Sequence, residues 1–167
     1  PTPTGHIAMP PEGELIETIR THLKQAVARR LVSEVPLGVF LSGGLDSSAI
    51  VAFMREVSSK PVETFSIGFE APDDTYNELP SARLAAKAFG TNHHEFVVKA
   101  NIAQLLPEVV WHLDEPFADS SSLLTFLISR EAKPLVTVAL TGIGGDELFG
   151  GYPRYLAARL STQLEKM

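Results

Sequence analysis

Apolar residues recur at every fourth position through Leu15, Ile19, Leu23, Val27 and Leu31. This is the stripe of an amphipathic helix, and it has to end before Pro36. A short apolar run follows, Leu37-Gly38-Val39-Phe40-Leu41, cut off abruptly by Ser-Gly-Gly, which reads as a buried strand entering a tight loop. From Asp46 to about Val57 the apolar positions Ile50, Phe53 and Met54 return to helical spacing. The alternation continues downstream. Strands are predicted over Val62 to Phe69, more weakly over Glu95 to Val98, and over the β-branched run Leu135 to Leu140. Helices are predicted over Glu78 to Phe89, stopped by Gly90, and over Ile102 to Leu113, Ser121 to Glu131 and Tyr155 through Leu164.

Strands alternating with helices predict an α/β fold, a parallel sheet sandwiched between two helical layers, with ligands bound beyond the carboxyl ends of the strands. Residues 1–13 hold four prolines and two glycines and read as an irregular lead-in or linker, leaving 14–167 as one domain. With 44% hydrophobic and 20% charged residues in 167, the chain can bury a substantial core. Its formal charge of -6 argues against a polyanionic partner such as nucleic acid. Cysteine is absent, which excludes disulfides and thiolate chemistry within these residues and is compatible with a reducing compartment; a cytoplasmic location is the expectation. No apolar run reaches the roughly 20 residues of a membrane span, and the start, which lacks a signal-peptide pattern and an initiator Met, suggests a processed or excised piece.

Two glycine-rich loops fall at strand ends. In the first, Ser42-Gly43-Gly44-Leu45-Asp46-Ser47-Ser48, the paired glycines can turn several backbone N–H groups toward one point at a helix start, a nest for phosphate. Ser42, Ser47 and Ser48 add hydroxyl donors. Asp46 would repel phosphate unless a cation lies between them, and Mg²⁺, a hard ion that takes carboxylate and phosphate oxygens together, answers that need. The plainer alternative is a turn with Asp46 as a helix cap. The segment has no lysine and no G-x-x-x-x-G-K-S/T spacing, so cleavage between β- and γ-phosphates is not the natural reading.

The second loop, Thr141-Gly142-Ile143-Gly144-Gly145-Asp146-Glu147-Leu148-Phe149-Gly150-Gly151-Tyr152, has five glycines in the eleven residues from Thr141. It is not a dinucleotide fingerprint, because the third glycine would fall at Glu147. Asp146 supplies a second carboxylate that, with Asp46, could hold Mg²⁺ against a triphosphate. The alternative for Asp146 and Glu147 is stabilisation of a short helix.

Together these loops resemble the S-G-G-x-D-S pyrophosphatase loop and the S-G-x-G-x-D-E-x-F-G-G-Y motif of glutamine-dependent asparagine synthetases. Phe65-Ser66-Ile67-Gly68-Phe69, Gly90 to Glu95 and Asp114 to Asp119 are also similar to that family, so the resemblance runs from about Leu15 to Tyr155. It implies an adenine nucleotide alpha hydrolase-like (PP-loop) fold and an ATP-dependent carbon–nitrogen ligase with ATP and Mg²⁺ as cofactors. An acceptor carboxylate attacks the α-phosphorus, and ammonia then displaces AMP from the acyl-adenylate. Ser42, Gly43, Gly44, Asp46 and Ser47 are implied at pyrophosphate and metal; Leu41, Ile67, Thr141 and Gly142 around adenosine; and Asp46 and Asp146 as metal ligands and catalytic residues.

Asparagine synthetases commonly carry an acidic residue where this chain has Ile143, which neither accepts a hydrogen bond nor handles a proton, so Ile143 marks the substrate side without identifying aspartate as the acceptor. The family's glutaminase domain and downstream catalytic lysine are absent from these residues, and a fragment of a larger synthetase is expected. Its implied partners are a small carboxylate acceptor such as an amino acid and ammonia from the glutaminase, with a homodimer left open. The alternatives are another PP-loop ligase of β-lactam-forming, NAD-synthesising or tRNA-modifying type, and a nucleotide-binding module without catalysis.

Other residues are less distinctive. His93 and His94 are adjacent and, on a strand, should point to opposite faces, which disfavours joint metal ligation. Asp119 and Ser120 could contact an acceptor or cap the next helix. Asp73 and Asp74 read as a solvated loop, and Trp111 and Tyr152 as packing residues.

Overall fold

The computed structural model describes residues 9–70, 77–99, 102–119 and 121–164. Asp73, Asp74 and Ser120 lie outside them. The described elements run α1 (Glu12–Arg30), β1 (Leu37–Phe40), α2 (Leu45–Val57), β2 (Glu63–Phe69), α3 (Leu79–Phe89), β3 (Asn92–Val98), α4 (Ile102–Leu113), α5 (Ser121–Ala132), β4 (Val138–Leu140), α6 (Gly145–Phe149) and α7 (Pro153–Leu164).

The four strands form one sheet in the order β3-β2-β1-β4, with every neighbouring pair parallel. Helices cover both faces, as the alternating sequence predicts. Val39, Leu41 and Val62 turn to the face packed by Val27 of α1, Val51 and Met54 of α2, and Ala82 and Ala86 of α3. The intervening residues Phe40, Phe65 and Ile67 turn the other way, onto Ile128 and Ala132 of α5. α4 packs on α5. β1 is buried on both faces and reads as a short apolar run, whereas β2 alternates, with Phe65 and Ile67 toward α5 and the small polar Thr64 and Ser66 buried on the other face.

Four boundaries differ from the sequence reading by two residues or more. α1 begins at Glu12, inside the segment read as lead-in: Glu12 and Glu14 favour its positive N-terminus, and Pro11, which lacks the amide a helix interior would need, sits just outside it. β3 starts at Asn92 rather than Glu95, because pairing with β2 stabilises Asn92-His93-His94, whose own β propensity is low. β4 is only Val138–Leu140; the N–H groups of Leu135 and Val136 donate hydrogen bonds to the Ala132 carbonyl instead. α7 starts at Pro153, two residues early, since proline is suited to a first helical position. α3 ends at Gly90 in left-handed conformation (φ 60), as its position suggests.

The order β3-β2-β1-β4 has a consequence for ligands. The chain leaves β1 toward one side of the sheet for β2 and β3, then returns to add β4 on the other side. The space beyond the carboxyl ends of β1 and β4 is therefore the topological switch point, where open parallel sheets bind ligands.

Candidate functional site

Both glycine loops emerge at that point and they touch. The first follows β1. Gly43 has φ +82, and a β-carbon there would stand 2.6 Å from the Ala82 amide nitrogen on α3, so only glycine permits both the turn and the approach of α3. Ser42 and Ser47 brace the turn from within. Their hydroxyls are 2.9 Å apart, the Ser42 N–H donates to Ser47 Oγ (3.3 Å) and the Gly44 N–H donates to Ser42 Oγ (3.2 Å).

Gly44 is the N-cap of α2 and has no side chain to cap with. Asp46 is thus a first-turn residue rather than the cap. The first-turn amides of α2 lack intrahelical acceptors by helix geometry and add the positive end of the helix dipole. In this arrangement the serine hydroxyls hold the nest in shape, while the helix amides are the donors suited to an anion.

The second loop follows β4 and lies against the first. A β-carbon on Gly142 would meet the Ser47 amide nitrogen at 2.8 Å, and one on Gly145 would collide with the Asp46 carboxylate. The half-buried Asp46 therefore rests its carboxylate on the residue immediately before Asp146. Asp146 in turn lies against Gly151, whose β-carbon would overlap the Asp146 carboxylate. Its carbonyl accepts the amides of Gly150 (2.9 Å) and Gly151 (3.1 Å), closing the short α6. Glu147 points elsewhere and accepts the Tyr152 hydroxyl at 2.7 Å, which holds the Glu147 carboxyl below its usual range and pushes Tyr152 up. Arg154 lies over the Tyr152 ring at 4.1 Å.

Around these loops, Leu41 is fully buried at the end of β1, so its side chain is closed to a ligand and its part is to shape the strand end. Ile67 stands on the opposite, α5-facing side of the sheet. Thr141 and Gly142 line an apolar cleft of about 150 Å³ with Asp46, Leu23, Ile50, Phe53, Ile143 and Leu148. Ile143 itself is 81% exposed. A larger hollow of about 600 Å³ lies at the amino ends of β1 and β2, against Leu31, Pro36, Met54 and Val62. It has neither glycine loop nor helix N-terminus, and parallel sheets seldom bind ligands at that end.

The remaining candidates have structural partners. His93 and His94 do face opposite ways: His93 Nδ1 bonds Thr64 Oγ1 (2.9 Å) on the α3 side, and His94 Nε2 bonds Glu63 Oε2 (2.7 Å) on the α5 side. Asp119 accepts the Ser121 amide at 2.9 Å, bracing the start of α5, and this bond holds its carboxyl below the usual range. Among the described residues no three His, Asp or Glu side chains gather as a metal site by themselves. One buried hydroxyl went unmarked in the sequence: Ser66 of β2 donates to the Leu41 carbonyl. In the sequence it stood only as a member of the family-like segment Phe65 to Phe69, with no role of its own.

A family model described as asparagine synthase matches residues 18–167. The chain belongs to the asparagine synthase family. It is 44% identical over 145 residues to putative asparagine synthetase (glutamine-hydrolyzing) 2 of Methanocaldococcus jannaschii, covering 86% of this chain and 28% of that protein. It is 40% identical over 145 residues to asparagine synthetase (glutamine-hydrolyzing) 1 of Bacillus subtilis, covering 86% and 22%. The chain thus spans about a quarter of the length of these family members. Among solved structures it resembles the NH3-dependent NAD synthetase of Campylobacter jejuni, with TM-score 0.52 and 14% identity, covering 81% of this chain and 60% of that one. That likeness speaks to fold alone: an adenine nucleotide alpha hydrolase-like, PP-loop sandwich. No helix among the described residues is long and apolar enough to cross a membrane.

Proposed function

We propose that this domain binds Mg-ATP between the 42–48 and 141–146 loops and activates a carboxylate by adenylation, as the synthetase part of a glutamine-dependent amidotransferase. The observation that carries the reading is the contact of the two loops at the switch point, where the Asp46 carboxylate rests on Gly145 beside Asp146. Two carboxylates on facing loops, next to the N-terminus of α2, are hard oxygen donors of the kind Mg²⁺ combines with phosphate. Asp46 and Asp146 would hold the ion, which when bound supplies charge neutralisation between the phosphates.

The chain's own groups then have distinct tasks. The α2 amides and the Gly43-Gly44 turn bind the β- and γ-phosphates that depart as pyrophosphate. Thr141 and Gly142, with Ile67 and the strand end at Leu41, border the adenosine. A carboxylate oxygen of the acceptor attacks the α-phosphorus, the α–β bridging bond breaks and pyrophosphate leaves. Ammonia next attacks the acyl carbon and AMP departs. Donors fixed where charge develops lower the barrier without reorganisation. Ile143 gives the acceptor side an apolar rim and no proton carrier, so we assign the acceptor as a small carboxylate without specifying aspartate. With no cysteine in these residues, a thiolate glutaminase supplying the ammonia belongs to another segment or partner.

The test is ATP–pyrophosphate exchange over a panel of amino acids and simple carboxylates. Exchange that requires both Mg²⁺ and one acceptor is expected. Tight Mg-ATP binding with no exchange for any acceptor would instead identify a nucleotide-binding module.

A further inference from the structure

We infer that Ser66, on the strand next to β1, is a positioning residue for the nucleotide loop, acting through the Leu41 carbonyl. At the carboxyl end of β1 the parallel ladder runs as far as the Leu41 N–H, which donates to the Phe65 carbonyl at 2.8 Å. The next main-chain acceptor, the Leu41 carbonyl, receives the Ser66 hydroxyl. Ser66 is 3% exposed and Leu41 2%, so water cannot substitute for either group.

The Leu41–Ser42 peptide is therefore held at both polar atoms. Its carbonyl is fixed from β2 by Ser66, and its N–H from α2 by Ser47 Oγ at 3.3 Å. This peptide is the last rigid unit before Gly43 turns to φ +82, and its orientation sets where the nest opens. Without the Ser66 hydroxyl the buried carbonyl has lost its partner, and rotation of the peptide toward another donor becomes favourable. The groups displaced would be Ser42 through Asp46, not the sheet.

The same strand provides a control. Thr64 is two residues earlier on the same face and fully buried, but its hydroxyl bonds Thr91 and His93 at 2.9 Å and does not reach the loop. Ser66→Ala and Thr64→Val each remove one buried hydroxyl from β2, and only the first should loosen the nest.

The experiment compares these two variants with the wild-type 167-residue chain by amide hydrogen exchange without ligand and by calorimetry with Mg-ATP. Faster exchange confined to residues 42–48 is expected in Ser66→Ala and not in Thr64→Val. Mg-ATP affinity should fall about tenfold in Ser66→Ala alone. Ser66→Cys, close in size with a weaker donor, should lie between and covers the case in which alanine fails to fold. Unchanged loop exchange in Ser66→Ala, or equal loosening in Thr64→Val, overturns the inference. The affinity arm rests on the proposed nucleotide reading, whereas the exchange arm does not. If wild type fails to bind Mg-ATP while Ser66→Ala loosens the loop, the nucleotide reading falls and the positioning role stands.

Discussion

At the scale of single residues, the two glycines on which the site depends do so for different reasons. Gly43 needs its left-handed φ and faces the backbone of α3, so any β-carbon strains a rigid part of the fold. Gly145 has no left-handed φ; its β-carbon would meet the end of the Asp46 side chain, which can swing away. Gly145→Ala should therefore cost little stability and still displace the carboxylate that matters. We expect a circular dichroism spectrum and melting temperature near wild type, with Mg-ATP affinity reduced about tenfold or more by calorimetry. Wild-type affinity in this variant would mean that Asp46 does not need its present position to engage the ion.

Among the elements, β3 is one of the two edge strands of the described sheet, and polar contacts as well as the ladder fasten it. Arg83 of α3 grips Glu95 with contacts of 2.6–3.0 Å; this bond holds the Glu95 carboxyl below its usual range. His93 lies between, bonded to Thr64, and burial pushes its pKa down, although Glu95 opposes the shift. The sign of the pH dependence follows. An unfolded chain takes up a proton at His93 near pH 6.5, before the folded chain does. The contribution to stability is therefore complete above that pH and declines as pH falls through the folded value. Urea midpoints should fall between about pH 7.5 and pH 5.5, and His93→Gln should flatten that slope. Equal slopes in the two proteins would show that other groups set the acid sensitivity.

For the whole molecule, the site is made by bringing together chain segments about a hundred residues apart, so ligand and fold are thermodynamically linked. A ligand that binds only the folded state stabilises it: at a hundred times Kd by about 2.7 kcal/mol, which for a chain of this size raises the melting temperature by about 5–10 °C. Mg-ATP should produce such a shift, and ATP with chelator should not. Asp46→Asn should abolish it. A shift of equal size without Mg²⁺ would remove the metal from the account while leaving the phosphate nest.

Much of this was already present in the sequence because the relevant physics is local. Periodicity identified α1 and α2, since apolar spacing reports which face is buried, β1 showed as a short apolar run stopped by Ser-Gly-Gly, and the glycine loops declared themselves because few residue types permit such turns. Asp46 and Asp146 could be paired on paper from their places at strand ends. Tertiary structure decided the rest. Asn92 to His94 became strand only through pairing with β2, and Leu135 and Val136 were taken from β4 by a turn. Ser42 and Ser47, read as phosphate donors, brace one another across the loop, a geometry that residue types do not encode. Ser66 acquired its role from a neighbouring strand, through a register fixed by packing on both sheet faces. The sequence by itself determined which residues could hold a nucleotide. Their contact, Asp46 on Gly145 across the switch point, followed only when the parallel strand order placed β1 and β4 side by side.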